Sequence, residues 1–332
     1  MRIVTLEEHF TIPDIAAKID PDAIARRGWP KPGSPQAAFM PHRLLADIGP
    51  DRIADMDASG VSLQILSLAG PGADLADAEQ GPRLARAFND RLHGAVREHP
   101  DRYAAFAHLP TTAPAAAADE LERTVRDLGF KGALINGLTG GKFLDDPAFE
   151  PILARAVALD VPIYIHPGLP PMEVRSAYYE GLPEPTGSML ALAGWGWHAE
   201  TAVHVLRLVL SGTLERHPKL KLIIGHMGEG LPAMMDRCDQ VFGRATPNYL
   251  SRTVSQTILD QVWITTSGFF SLAPFTAAMM TFGADRILFS IDYPFARNAD
   301  GVEFLGRLPV SPADRQKIAH GNADALLKLT GS

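Results

Sequence analysis

Short runs of Val, Ile, Leu and Phe alternate along the chain with longer stretches of helical period, as expected of successive strand–helix units. Eight such runs are read as strands: 2–6, 63–68, 104–109, 133–136, 162–166, 222–225, 262–266 and 286–291. The intervening helical stretches are 82–98, 114–128, 149–159, 200–216, 231–241 and 275–282, and a last one at 312–329 closes the chain.

Eight parallel strands with helical returns predict an α/β fold, a (β/α)8 TIM barrel. The 332 residues are read as one domain, 1–332. Two connections are much longer than usual, Phe10 to Pro50 after the first strand and Gly168 to Trp197 after the fifth. Both are rich in turn formers and aromatics, as in Arg27-Gly28-Trp29-Pro30-Lys31-Pro32-Gly33 and Tyr178-Tyr179-Glu180-Gly181-Leu182-Pro183. They read as a substrate lid, a subunit contact or plain solvent loops.

Chemistry in such a barrel sits at the carboxyl ends of the strands. Glu7 and His9 end the first run, His166 the fifth, His226 the sixth and Asp292 the eighth. Strand alternation points Glu7 and His9 the same way and Glu8 the other, so the first two can share one ion. Carboxylates and imidazoles gathered at several strand ends describe a divalent metal site in the barrel mouth. Glu229 follows His226 by three residues, a spacing at which a carboxylate fixes the tautomer of an imidazole and raises its basicity. Asp292 read alone also serves as an N-cap.

The other histidines look duller. His93, His99, His204 and His217 read as surface or helix-end residues, His108 as either a packed strand terminus or a residue near the site, and His42, His198 and His320 are undecided. Cys238 is the only cysteine, so disulfides and cysteine zinc sites are excluded, and its setting reads as helix packing.

Apolar residues make up 46% of the chain and charged residues 21%, ordinary for a folded soluble protein. The net charge of −7 comes without a dense basic run, which argues against nucleic acid. Neither a secretion signal nor an apolar span is apparent, so a cytoplasmic protein off the membrane is expected. The glycines Gly225, Gly228 and Gly230 lack the dinucleotide-binding order, and neither a Walker A loop nor a Gly-x-Ser-x-Gly elbow is present.

Six motifs carry a resemblance over nearly the whole chain: Leu6-Glu7-Glu8-His9-Phe10, Arg52-Ile53-Ala54-Asp55-Met56-Asp57, Tyr164-Ile165-His166-Pro167, the stretch Glu200 to Leu208, Gly225-His226-Met227-Gly228-Glu229-Gly230, and Ile287 to Phe295. Together they resemble the metal-dependent decarboxylase branch of the amidohydrolase superfamily, with its γ-resorcylate, 2,3-dihydroxybenzoate and 5-carboxyvanillate decarboxylases and, more distantly, aminocarboxymuconate semialdehyde decarboxylase.

The resemblance implies that Glu7, His9, His166 and Asp292 hold one Zn²⁺ or Mn²⁺, with Mg²⁺ possible, and that His226 with Glu229 forms a catalytic dyad beside Asp292. It also implies substrate contacts from Arg237, Phe10 and Phe295, and a homodimer or homotetramer in which the Phe10 to Pro50 insertion reaches a neighbour. Glu7-x-His9 stands where the wider superfamily begins His-x-His, and the extra carboxylate favours harder ions. The implied reaction is non-oxidative decarboxylation of an ortho-hydroxylated aromatic acid: the metal chelates carboxylate and phenolate oxygens, and Asp292 protonates the ring carbon. The same ligands also suit a hydrolase that attacks a lactone, ester or amide with Asp292 as base, because the 168–197 loop matches no single decarboxylase. A binding protein without catalysis is the third reading.

Overall fold

A computed structural model of the protein describes residues 1–29, 40–183, 185–245 and 249–329. Nine short strands form its centre: β1 (Val4–Phe10), β2 (Leu63–Leu68), β3 (Tyr103–Ala105), β4 (Ala107–His108), β5 (Ala133–Asn136), β6 (Ile163–His166), β7 (Leu222–Ile224), β8 (Val262–Thr265) and β9 (Ile287–Leu288). All pair in parallel, in the orders β1-β2-β3 and β4 through β9. The third predicted strand is thus divided at Phe106, one half bonding to β2 and the other to β5. Counting β3 and β4 as one stave gives the eight of a (β/α)8 barrel.

No ladder joins β9 to β1. Side chains bridge that seam instead: the buried Glu8 carboxylate accepts from Ile291 N–H and Tyr293 N–H, both at 3.0 Å, and Ser290 Oγ accepts from Glu7 N–H at 2.7 Å. His9 N–H adds a backbone bond of 2.6 Å to the Tyr293 carbonyl. The fully buried Arg52 props the same strand, donating to the His9 carbonyl and to Gln64 Oε1, each at 2.7 Å.

β1 runs on to Phe10 rather than ending at Leu6, and it carries a bulge between Thr5 and Glu8. Val4 and Leu6 pack inside the barrel with Leu63, Ile65, Phe106, Leu134, Tyr164, Ile223 and Leu288. An unbroken alternation from Val4 and Leu6 would turn Glu8 inward. The extra residue switches parity, so Glu7 and His9 face the interior while Glu8 turns to the seam. Below this layer Ala323, Leu326 and Leu327 of the last helix plug the bottom of the barrel.

The strands' outer faces and the helices form the larger core. The helix Gly81–Glu98 shows why: Leu84, Ala85, Phe88, Leu92 and Ala95 recur at helical spacing on one buried face. Helices at Pro50–Ser59 and Asn298–Arg307 add to the predicted set. The predicted 200–216 helix starts earlier, at Gly196, and breaks at Gly212, whose φ of 74° stops it. The closing helix is interrupted by a π-turn at Lys317–Gly321. Both long insertions are partly helical, at Pro13–Ala16, Pro21–Arg27 and His42–Ala46 in the first and Met172–Tyr178 and Thr186–Met189 in the second. The turn-rich Pro30-Lys31-Pro32-Gly33 lies outside the described residues. Among the described residues no helix is long and apolar enough to cross a membrane.

Candidate metal centre

At the carboxyl ends of β1 and β6, and just beyond β9, four side chains converge. One donor atom each from Glu7, His9, His166 and Asp292 lies within 4.8 Å of all the others. His166 Nε2 stands 3.2 Å from Glu7 Oε1, and His9 Nε2 stands 3.2 Å from Asp292 Oδ1. Glu7 Oε1 and His9 Nε2 are buried yet have no hydrogen-bond partner among the described residues. Such atoms cost about 1–3 kcal/mol each when left bare, and a cation between them removes that cost. Two imidazole nitrogens with two carboxylate oxygens form a donor set suited to Zn²⁺ or Mn²⁺. The residues therefore fit a divalent ion.

Two of the donors are oriented from behind, whereas His166 Nδ1 has no hydrogen-bond partner among the described residues. Ser67 Oγ lies 3.3 Å from His9 Nδ1; with Nδ1–H donating there, Nε2 presents its lone pair to the site. Glu7 Oε2 accepts from Tyr164 Oη and, at 2.6 Å, from Ser267 Oγ. Burial alone would raise the Glu7 pKa, but the imidazoles of His226, His166 and His9 outweigh it and hold the carboxyl far below its usual range. Gly225 is required here, because a Cβ on it would lie 2.6 Å from Glu7 Oε2 and 3.2 Å from Tyr164 Oη.

Beside the four donors lies a second buried group. Glu229 accepts from His226 Nδ1 at 2.7 Å through Oε1 and from His198 Nδ1 at 2.5 Å through Oε2. Burial works against the charged form of His226, but Glu229 and Glu7 reverse this and raise its pKa well above the ordinary imidazole value. Burial likewise works against the Glu229 carboxylate, and the two imidazoles overcome it, lowering its pKa. His226 Nε2 lies 3.9 Å from Asp292 Oδ2, so the ring whose pKa Glu229 raises borders that side chain. His226, Met227, Glu229 and Asp292 all adopt left-handed backbone conformations, with φ of 51°, 56°, 55° and 72°. For non-glycine residues this is costly; of the four, His226 and Asp292 line the mouth, while Met227 packs in the larger core.

Above the cluster opens a cavity of about 480 Å³ whose wall includes His9, His166, His226 and Asp292. Both insertions shape it, the first through Gly28, Trp29 and Met40 and the second from Leu169 to Trp197. Phe295 lines it, half exposed, with its ring 5.8 Å from that of His9.

Two residues expected to contact substrate stand elsewhere. Phe10 has the parity of Glu8 rather than of His9, so its ring is buried in the outer core and does not line the cavity. Arg237 is exposed on the helix Met235–Phe242, on the side opposite the buried Met235 and Cys238, and does not line the cavity either. His204 is not a surface ring: it is buried and accepts from Leu144 N–H at 2.9 Å, and burial drives its pKa down to about 3. His108 is a buried acceptor for Ala73 N–H at 2.8 Å. His198, undecided from the sequence, belongs to the buried group of His226 and Glu229. Its only signal is that Glu229 has two oxygens, and one imidazole three residues away occupies one of them.

Comparison with known proteins fits this geometry. The amidohydrolase family matches residues 36–329. The chain is 39% identical over 347 aligned positions to γ-resorcylate decarboxylase of Rhizobium sp. (strain MTP-10005), covering 99% of each. Among solved structures it superposes on 2,6-dihydroxybenzoate decarboxylase in complex with 2,6-dihydroxybenzoate, with a TM-score of 0.87, 37% identity and coverage of 99% and 100% of the two chains. A dihydroxybenzoic acid decarboxylase from Polaromonas sp. JS666, solved with manganese and the inhibitor 2-nitroresorcinol, superposes with a TM-score of 0.86, 36% identity and coverage of 100% and 98%.

Proposed function

Because the chain belongs to the amidohydrolase family, we propose that it is a metal-dependent carboxy-lyase that removes carbon dioxide from an ortho-hydroxylated aromatic acid without oxidation. The observation that carries this reading is the meeting of four donors, two of them bare and buried, with the hydrogen-bonded His226–Glu229 pair at the floor of an aromatic-walled cavity. The named relatives above are decarboxylases of hydroxylated benzoates, which favours the lyase over hydrolysis on the same scaffold. Localisation in the cytoplasm and a single barrel domain spanning residues 1–332 belong to the same proposal.

Glu7, His9, His166 and Asp292 hold the ion, Mn²⁺ or Zn²⁺. When bound, it supplies positive charge that anchors the substrate carboxylate and the neighbouring phenolate oxygen. Trp29, Trp197 and Phe295 flank the ring and exclude water. Asp292, acting as the acid, delivers a proton to the ring carbon bearing the carboxylate, and aromaticity is lost. The carbon–carboxylate bond then breaks, its electron pair returns to the ring, and carbon dioxide departs. Asp292 is left as the carboxylate and regains a proton from His226, 3.9 Å away and favoured in its charged form by Glu229, and His226 takes a proton from solvent as the products leave. His198 steadies the far oxygen of Glu229.

Metal-loaded protein incubated with a panel of hydroxybenzoates and lactones tests the reading. Carbon dioxide release with loss of ring-acid absorbance is expected; acid release without gas would replace the lyase with a hydrolase. A homodimer or homotetramer is part of the same proposal, with the first insertion as the contact, and light scattering showing only monomer at micromolar concentration would remove it.

A further inference from the structure

Behind the ion-facing oxygen of Glu7 lies a cage of hydroxyls contributed by two strands. Tyr164 Oη on β6 donates to Glu7 Oε2, and Ser267 Oγ, just past β8, lies 2.6 Å from the same oxygen. Thr265 Oγ1 ties the two together, 3.0 Å from Tyr164 Oη and 2.6 Å from Ser267 Oγ. Glu7, Tyr164, Thr265 and Ser267 each have no measurable exposure to solvent. Gly225 closes the cage, since any side chain there would strike Glu7 Oε2. The two carboxylate oxygens are therefore unequal: Oε2 is saturated by two donors, while Oε1 is bare among the described residues.

We infer that Tyr164 and Ser267 are positioning residues that restrict Glu7 to a single coordinating oxygen, and that they set both the affinity of the site and its choice between Mn²⁺ and Zn²⁺. This rests on the metal-dependent reading above. A carboxylate free to rotate can chelate through both oxygens and fill a coordination position that a chelating substrate needs. With Oε2 engaged, that position stays open. Partners behind a ligand typically govern metal affinity by roughly 10- to 100-fold.

The test measures dissociation constants of wild-type protein, Tyr164→Phe and Ser267→Ala for Mn²⁺ and for Zn²⁺, each metal supplied alone, by competition with a chelating indicator. Thermal melts of the metal-free proteins run alongside. Expected are metal affinities altered by roughly tenfold or more, a changed Mn²⁺ to Zn²⁺ ratio, and recovery in Ser267→Thr, which restores a hydroxyl. If Tyr164→Phe fails to fold, Ser267→Ala carries the comparison from the opposite strand. Wild-type constants for both metals in folded variants would overturn the inference, even if their melting points fall. Wild-type protein that binds neither metal would sink the functional reading instead, which separates the two failures.

Discussion

Asp292 is the residue on which binding and turnover separate. Its Oδ1 faces His9 while its Oδ2 faces His226, so the amide of Asp292→Asn keeps one oxygen for the ion and loses the transferable proton. Turnover is expected to fall by about 10²- to 10⁴-fold, with metal still bound more weakly, as read by single-turnover gas release beside metal titration. The buried charges also give the metal-free protein a defined pH window. Glu229 has a lowered pKa, so its stabilisation is complete above the ordinary carboxylate range and is lost as pH falls through the folded value. His226 has a raised pKa, so its stabilisation is complete below the ordinary imidazole value and is lost as pH rises through the folded value. Urea unfolding of metal-free protein across pH should show both limbs, and Glu229→Gln should flatten the acid limb and weaken the basic one. At this scale the sequence was legible where a polar residue ended an apolar run, as at His166 and Asp292. It was silent where partners are set only by folding: nothing near His198 announces Glu229, and nothing near His204 announces the Leu144 amide.

Among the elements, β1 is the least regular and the most consequential. Glu8 spends its carboxylate on two buried amides across the seam. Glu8→Ala strands both, at about 1–3 kcal/mol each, whereas Glu8→Gln retains an acceptor oxygen and should cost less; equilibrium denaturation would rank them. Most strand positions were readable from apolar runs. The split at Phe106 was not, because it is a change of hydrogen-bonding partner within one continuous run. The helix Asn298–Arg307 was also missed, since its buried Gly301, Phe304 and Leu305 make too short a stripe to stand out.

In the molecule as a whole, a half-buried side chain helps join the two insertions. Arg27, from the first, donates to the Leu169 carbonyl of the second and to the Leu138 carbonyl at 3.3 Å beyond β5. Arg27→Met keeps the stem and removes these bonds, so the cavity wall loosens. KM should rise roughly 10-fold while the single-turnover rate moves far less, and steady-state kinetics would show the reverse if Arg27 served the chemistry. The eightfold repeat made the barrel legible, but the depth of the cavity was not, because it depends on how two irregular segments meet above the mouth.

The seam described at Glu8 has a consequence for how the protein is made. Glu7 and His9 leave the ribosome well before Asp292 and the amides on either side of it, which lie more than 280 residues further along the chain. A chain terminated before Asp292 therefore carries at most three of the four donors, and the set is complete only once β1 and the segment beyond β9 have met.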